Sequence, residues 1–90
     1  MKLNDNRNIV HKRLKAARKK VNLSQAELAA KMQMLSVNTD QQMISRIERN
    51  QRIVTDYEVV CFAKALNLNT MWLLTGHEDP TQNLPETLKK

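Results

Sequence analysis

Glycine, proline, cysteine and aromatic residues are all scarce in this chain of 90 residues: one Gly, two Pro, one Cys, and one each of Phe, Trp and Tyr. With so little turn-forming and β-favouring material, a hairpin-rich β fold is excluded and a helical one is expected. The lone cysteine excludes an intramolecular disulfide and suits a reducing compartment. No glycine-rich loop is present to cradle a nucleotide phosphate. No apolar run approaches the length of a membrane span or of a signal-peptide core, so a soluble, cytoplasmic protein without membrane contact is expected. Internal repeats and low-complexity tracts are also missing.

The groups that catalysis requires are not gathered together. Cys61 sits between Val60 and Phe62 in an apolar stretch, where a small buried hydrophobe is the expected role. His11 and His77 lie in unrelated contexts, and neither stands at metal-ligand spacing from Cys61. The acidic residues fall mostly at helix starts, where capping and the helix dipole account for them. We therefore expect no enzyme, no metal, no cofactor and no small-molecule ligand.

What the chain does have is positive charge, unevenly placed. The net charge is +6, but residues 1–52 hold twelve Lys/Arg against four Asp/Glu, and residues 53–90 hold three against five. A basic half beside a slightly acidic half suggests one part facing phosphates and another with a different task.

Apolar Val10, Leu14, Ala17 and Val21 recur at helical spacing, predicting a first helix from about Asn8 to Val21. Asp5, Asn6 or Asn8 would cap it, and Asn22 would end it in the left-handed conformation. Ser24 to Glu27 reads as a capping box, with Leu23 and Leu28 as the flanking hydrophobic staple. Leu28, Ala29, Met32 and Leu35 then form the buried stripe of a second helix. Thr39, paired with Gln42, or Asp40 would open a third helix running to about Arg49, with Asn50 as terminator. Thr55 to Glu58 is another capping box, opening a fourth helix with Val59, Val60, Phe62, Ala63 and Leu66 apolar. Asn67 ends it, and Asn69 or Thr70 starts a short fifth helix closed by Gly76. Met32, Met43 and Met71 are expected to fill the core, and Trp72 either to complete it or to form a dimer contact. Residues 1–76 are expected to form one domain and 77–90 a loose tail.

On the third helix, Gln42, Ser45, Arg46 and Arg49 fall at i, i+3, i+4 and i+7 and share a face, with Ile44 and Ile47 opposite. Gln41 lies at the edge of that face, and Glu48 on a flank near the core. Amide and guanidinium groups on an outward face can form paired hydrogen bonds to purine edges in a DNA groove. An ordinary solvated helix surface would show the same spacing.

The segments LKAARKKVNLSQAELAAKM, ISRIERNQR, VVCFAKALNL and WLLTG occur in that order. Over residues 10–75 the chain resembles the Cro/repressor-type helix-turn-helix domains of phage and bacterial transcription regulators, the Xre family. The resemblance implies an all-α, five-helix, lambda-repressor-like fold, with helices two and three as the helix-turn-helix and the third in the major groove. By position it implies that Gln25 contacts phosphate, that Gln41, Gln42, Ser45 and Arg46 reach base edges, and that Arg18 and Glu48 form a salt bridge. Arg49 joins the base-reading set by its place on the face. Lys12, Lys15, Lys19, Lys31 and Arg52 are the expected phosphate contacts beside Gln25. Two departures stand out. The usual glycines are absent, with Asn22 able to replace the first. The connection from Met32 to Ile44 is also several residues longer than usual, so either the second helix extends or the loop bulges, with Asn38 and Thr39 as possible extra contacts. The expected function is a repressor binding duplex DNA as a homodimer on a two-fold operator, through a dimer surface in 53–76 with Trp72 and the tail. The alternative is a protein-interaction module on the same scaffold, antitoxin-like or an anti-regulator.

Overall fold

The computed structural model describes residues 6–77, and these form five helices and no strand. They are α1 (His11–Lys20), α2 (Gln25–Met34), α3 (Gln41–Glu48), α4 (Asp56–Ala65) and α5 (Thr70–Thr75). The all-α expectation holds. Asp5 as a helix cap and residues 78–90 of the expected tail lie outside the described residues.

Helix starts follow side-chain chemistry. Ser24 Oγ accepts from Glu27 N at 3.0 Å while Glu27 Oε1 accepts from Ser24 N at 2.8 Å. Thr55 and Glu58 repeat the arrangement at 3.1 and 3.0 Å. Each box satisfies two backbone donors that a helix N-terminus leaves free. Asn69 caps α5 and Asp40 caps α3. The Thr39–Gln42 box does not form: Thr39 is buried in the core and Asp40 takes the cap, placing a carboxylate at the positive helix end. The first helix also starts later than expected, at His11. Asn8 lies ahead of it, accepting from Val10 N at 3.0 Å.

Helix ends follow one pattern, repeated. Asn22, Ser36, Asn50 and Asn67 all have φ between 56 and 65°. At each, the next residue's N–H reaches back five positions to a carbonyl, as Leu23 does to Arg18 and Gln51 to Arg46. This double closure satisfies the last carbonyls and turns the chain sharply. It also resolves the long connection. Helix α2 runs on to Met34, Ser36 closes it, and the remaining link is pinned inward by buried Val37 and Thr39. The Gln33 side chain fastens the link by donating to the Thr39 carbonyl at 2.6 Å.

The core gathers Val10, Leu14 and Ala17 of α1 and its approach, Leu28, Ala29 and Met32 of α2, and Ile44 and Ile47 of α3. Val59, Cys61, Phe62, Ala63 and Leu66 join from α4 and its cap, with Leu73 from α5. Met43 is only half-buried and does not join the core, and four further expected apolar positions are exposed. Val21 lies beyond the end of α1, Leu35 is the turn residue after α2, and Val60 and Met71 sit on outward faces of α4 and α5. Helix α3 packs on α1 and α2, and α4 packs on α2 and α5. That leaves one long face of α3 uncovered.

Candidate nucleic-acid interface

That uncovered face carries Gln42, Arg46 and Arg49, all exposed, with half-buried Ser45 between them and Gln41 exposed at the leading edge. Ile44 and Ile47 on the opposite side are buried to 1% exposure or less. Arg49 folds back so that its Nε donates to the Ser45 carbonyl at 3.3 Å. The Arg46 guanidinium donates to nothing among the described residues. Its five N–H groups are available for an external acceptor.

Helix α3 is held in place by charge as well as by apolar contact. Arg18 of α1 grips the Glu48 carboxylate through two bonds, Nε to Oε2 at 2.7 Å and Nη2 to Oε1 at 3.0 Å. Its third nitrogen, Nη1, donates to the Leu23 carbonyl at 2.7 Å. The Gln25 side chain adds a bond from Nε2 to Glu48 Oε1 at 3.0 Å. A planar guanidinium suits this fork, and its other bond leaves little of the buried charge unsatisfied. The first turn of α2 and the last turn of α3 are therefore tied to one carboxylate. Gln25 is half-buried. Its carbonyl oxygen and one N–H remain free to face outward.

A second tie was not foreseen from the sequence. Asn8, nearly buried, donates from Nδ2 to the carbonyls of Ile47 and Arg52 at 3.1 and 2.9 Å. Asn50 Oδ1 in turn accepts from the backbone N–H groups of Arg7 and Asn8 at 2.9 and 3.2 Å, and its Nδ2 donates to Asn6 Oδ1. The strand of chain before α1 is thus laced to the C-terminal end of α3. Asparagines in a polar stretch give no periodic signal, and only the repeated Asn at helix ends hinted at a structural use.

The cations expected to face phosphate are distributed differently. Lys12, Lys15 and Lys19 are exposed along one face of α1, and Lys15 stands one turn before Arg18. Lys31 is exposed in the last turn of α2, at the opposite end from Gln25. Arg52 is committed within the chain: it forks onto Glu58 at 3.2 and 3.3 Å and donates to the Ile53 carbonyl. Burial pushes the Glu58 carboxyl up, but the bonds from Arg52 and Thr55 and the Arg52 charge outweigh it and hold the group below its ordinary value. His11 moves the same way, through partial burial and then the charges of Lys12 and Arg13, so its neutral form is favoured.

Among the described residues, no group of three or more His, Cys, Asp or Glu could hold a metal ion, and no helix is long and apolar enough to cross a membrane. A comparison with curated proteins gives no match. Residues 14–73, two thirds of the chain, match the model of the helix-turn-helix family HTH_3. The span runs from the first core residue of α1 to the last of α5 and takes in the tie of Arg18 and Gln25 to Glu48, while the Asn8 tie reaches outside it. The chain thus belongs to the Cro/Xre-type helix-turn-helix family of DNA-binding transcription regulators.

Proposed function

We propose that the protein is a sequence-specific repressor, binding duplex DNA as a homodimer on a two-fold operator. The observation that carries this reading is the outward row of Gln42, Arg46 and Arg49 on a helix whose other side is locked into the core. Helix α3 enters the major groove, where Gln42 and Arg46 can make paired bonds to purine edges, with Gln41, Ser45 and Arg49 beside them. Gln25, Lys12, Lys15, Lys19 and Lys31 contact phosphate and fix orientation. Arg52 joins them through whatever part of its fork Glu58 leaves free. Repression requires only occupancy of the DNA, which these groups supply. The protein acts in the cytoplasm, and residues 1–76 form its single domain.

One such domain covers little DNA, so two copies on half-sites a helical turn apart are needed for tight binding. Ile53, Tyr57, Val60 and Met71 are exposed by 41–64%, in the less basic half of the chain. They offer the apolar area for the dimer contact, with half-buried Trp72 close by in sequence. A protein-interaction role has its own support in Met34, which is 84% exposed at the end of α2 beside Leu35.

Fluorescence anisotropy against labelled duplexes over a salt series, including the region upstream of the gene, separates the two. DNA reading predicts one preferred sequence, a steep fall of affinity with salt, and a loss of roughly 1–3 kcal/mol of discrimination per contact removed in Gln42→Ala and Arg46→Ala. Equal, weak binding to every duplex that the variants leave untouched would sink base reading in favour of a protein partner. Sedimentation of the wild type beside a Tyr57→Glu, Val60→Glu variant tests the dimer. The expected result is a concentration-dependent mass for the wild type and a monomer for the variant.

A further inference from the structure

Six arginines lie in the described residues, and four are spent inside the chain. Arg13 donates to the carbonyls of Leu73, Leu74 and Ile9. Arg18 holds Glu48, Arg49 bonds its own helix, and Arg52 holds Glu58. Among the described residues only Arg46 and Arg7 have guanidinium groups that donate to no protein acceptor. Arg46 stands at the centre of the α3 row. Arg7 is exposed, yet its backbone is fixed, because its N–H donates to Asn50 Oδ1 at 2.9 Å and the following residue is clamped to the same oxygen. Asn50 stands two residues past the end of α3, in the left-handed turn that closes the helix. The lacing therefore sets the Arg7 backbone at the C-terminal end of α3.

We propose that Arg7 is a further DNA-phosphate contact, held at the end of the recognition helix by Asn50. The assignment rests on the reading of α3 as a groove-binding helix. When such a helix enters with its N-terminal turns against the bases, its C-terminal end emerges at the groove edge, beside the sugar–phosphate backbone. That end bears the negative pole of the helix, which repels phosphate unless a cation is supplied there. Arg49 and Arg52 bring only part of their guanidinium groups to this end, since Arg49 Nε is bonded to the Ser45 carbonyl and Arg52 is paired with Glu58. Arg7 supplies the charge with its backbone already ordered, so little conformational freedom is lost on binding.

The test compares the wild type, Arg7→Ala, Arg7→Lys and Arg46→Ala by anisotropy on a labelled mixed-sequence duplex and on the preferred duplex across a salt series. The Arg7 side chain makes no bond among the described residues, so Arg7→Ala should melt at the wild-type temperature. Its log affinity against log salt should flatten by about one counterion, so that between ~50 and ~200 mM salt it loses roughly three- to fourfold less affinity than the wild type. The effect should be equal on both duplexes, and Arg7→Lys should keep the wild-type slope. Wild-type affinity and slope in Arg7→Ala, with Arg46→Ala impaired, would overturn the Arg7 contact and leave the α3 reading standing. A change of sequence preference without a change of slope would overturn the phosphate assignment. Absence of salt-dependent binding by the wild type to any duplex would overturn both together.

Discussion

Glu48 is the residue on which most depends. Its carboxylate is only 2% exposed, and it takes bonds from Arg18 twice and from Gln25 once. Removing it leaves the Arg18 guanidinium, itself 9% exposed, without its counter-charge. Glu48→Ala should therefore cost about 3–5 kcal/mol in urea denaturation, far more than an exposed pair would. The Asn residues at helix ends were legible in the sequence because their short amide side chain tolerates positive φ, and Asn22, Asn50 and Asn67 all adopt it. Ser36 was not legible: serine carries no comparable signal, and its φ of 65° is imposed by the closure around it. Asn8 escaped for a similar reason. Its bonds reach carbonyls 39 and 44 residues away, which no local pattern records.

At the level of elements, the capping boxes at Ser24 and Thr55 were legible because their two reciprocal bonds depend on residues only three apart. The face of α3 was also legible, since the spacing of Ile44 and Ile47 alone decides which way the helix rolls. The ends of α1 and α2 and the outward turn of Val60 and Met71 were not. A stripe of apolar residues says which side is oily, while the neighbouring helices decide how much of it is covered. The start of α3 carries a specific consequence. Asp40 accepts from Met43 N at 2.9 Å and so orders the turn that presents Gln41 and Gln42. Asp40→Ala should lower stability by about 1 kcal/mol. Amide hydrogen exchange should show the added opening in the first turn of α3, with α4 and α5 unchanged.

For the whole molecule, charge is divided between work inside and work outside. Arg52 and Glu58 join the chain leaving α3 to the start of α4. Because the Glu58 carboxyl is held below its ordinary 4.5, its contribution is complete above that pH and is lost as pH falls through the lowered folded value. Glu58→Gln should therefore be less stable than the wild type at neutral pH, and the gap should close in acid. Melting temperatures measured from pH 7 down to about pH 3 check this sign. Arg46, Arg7 and the exposed lysines of α1 and α2 make no internal ion pair among the described residues.

The bonds from Arg13 to the carbonyls of Leu73 and Leu74 join residues 60 and 61 positions apart, and they tie the approach and start of α1 to the end of α5. A chain growing from its N-terminus makes the donor early and must wait for nearly the whole domain before the acceptors exist. The loop this contact closes is among the longest in the fold, so its entropy is met only once the other helices are in place. Synthesis that stops short of residue 73 leaves Arg13 without either acceptor, although every residue of α3 has already been made. The closure of the domain thus waits on its last helix, well after the α3 face has been synthesised.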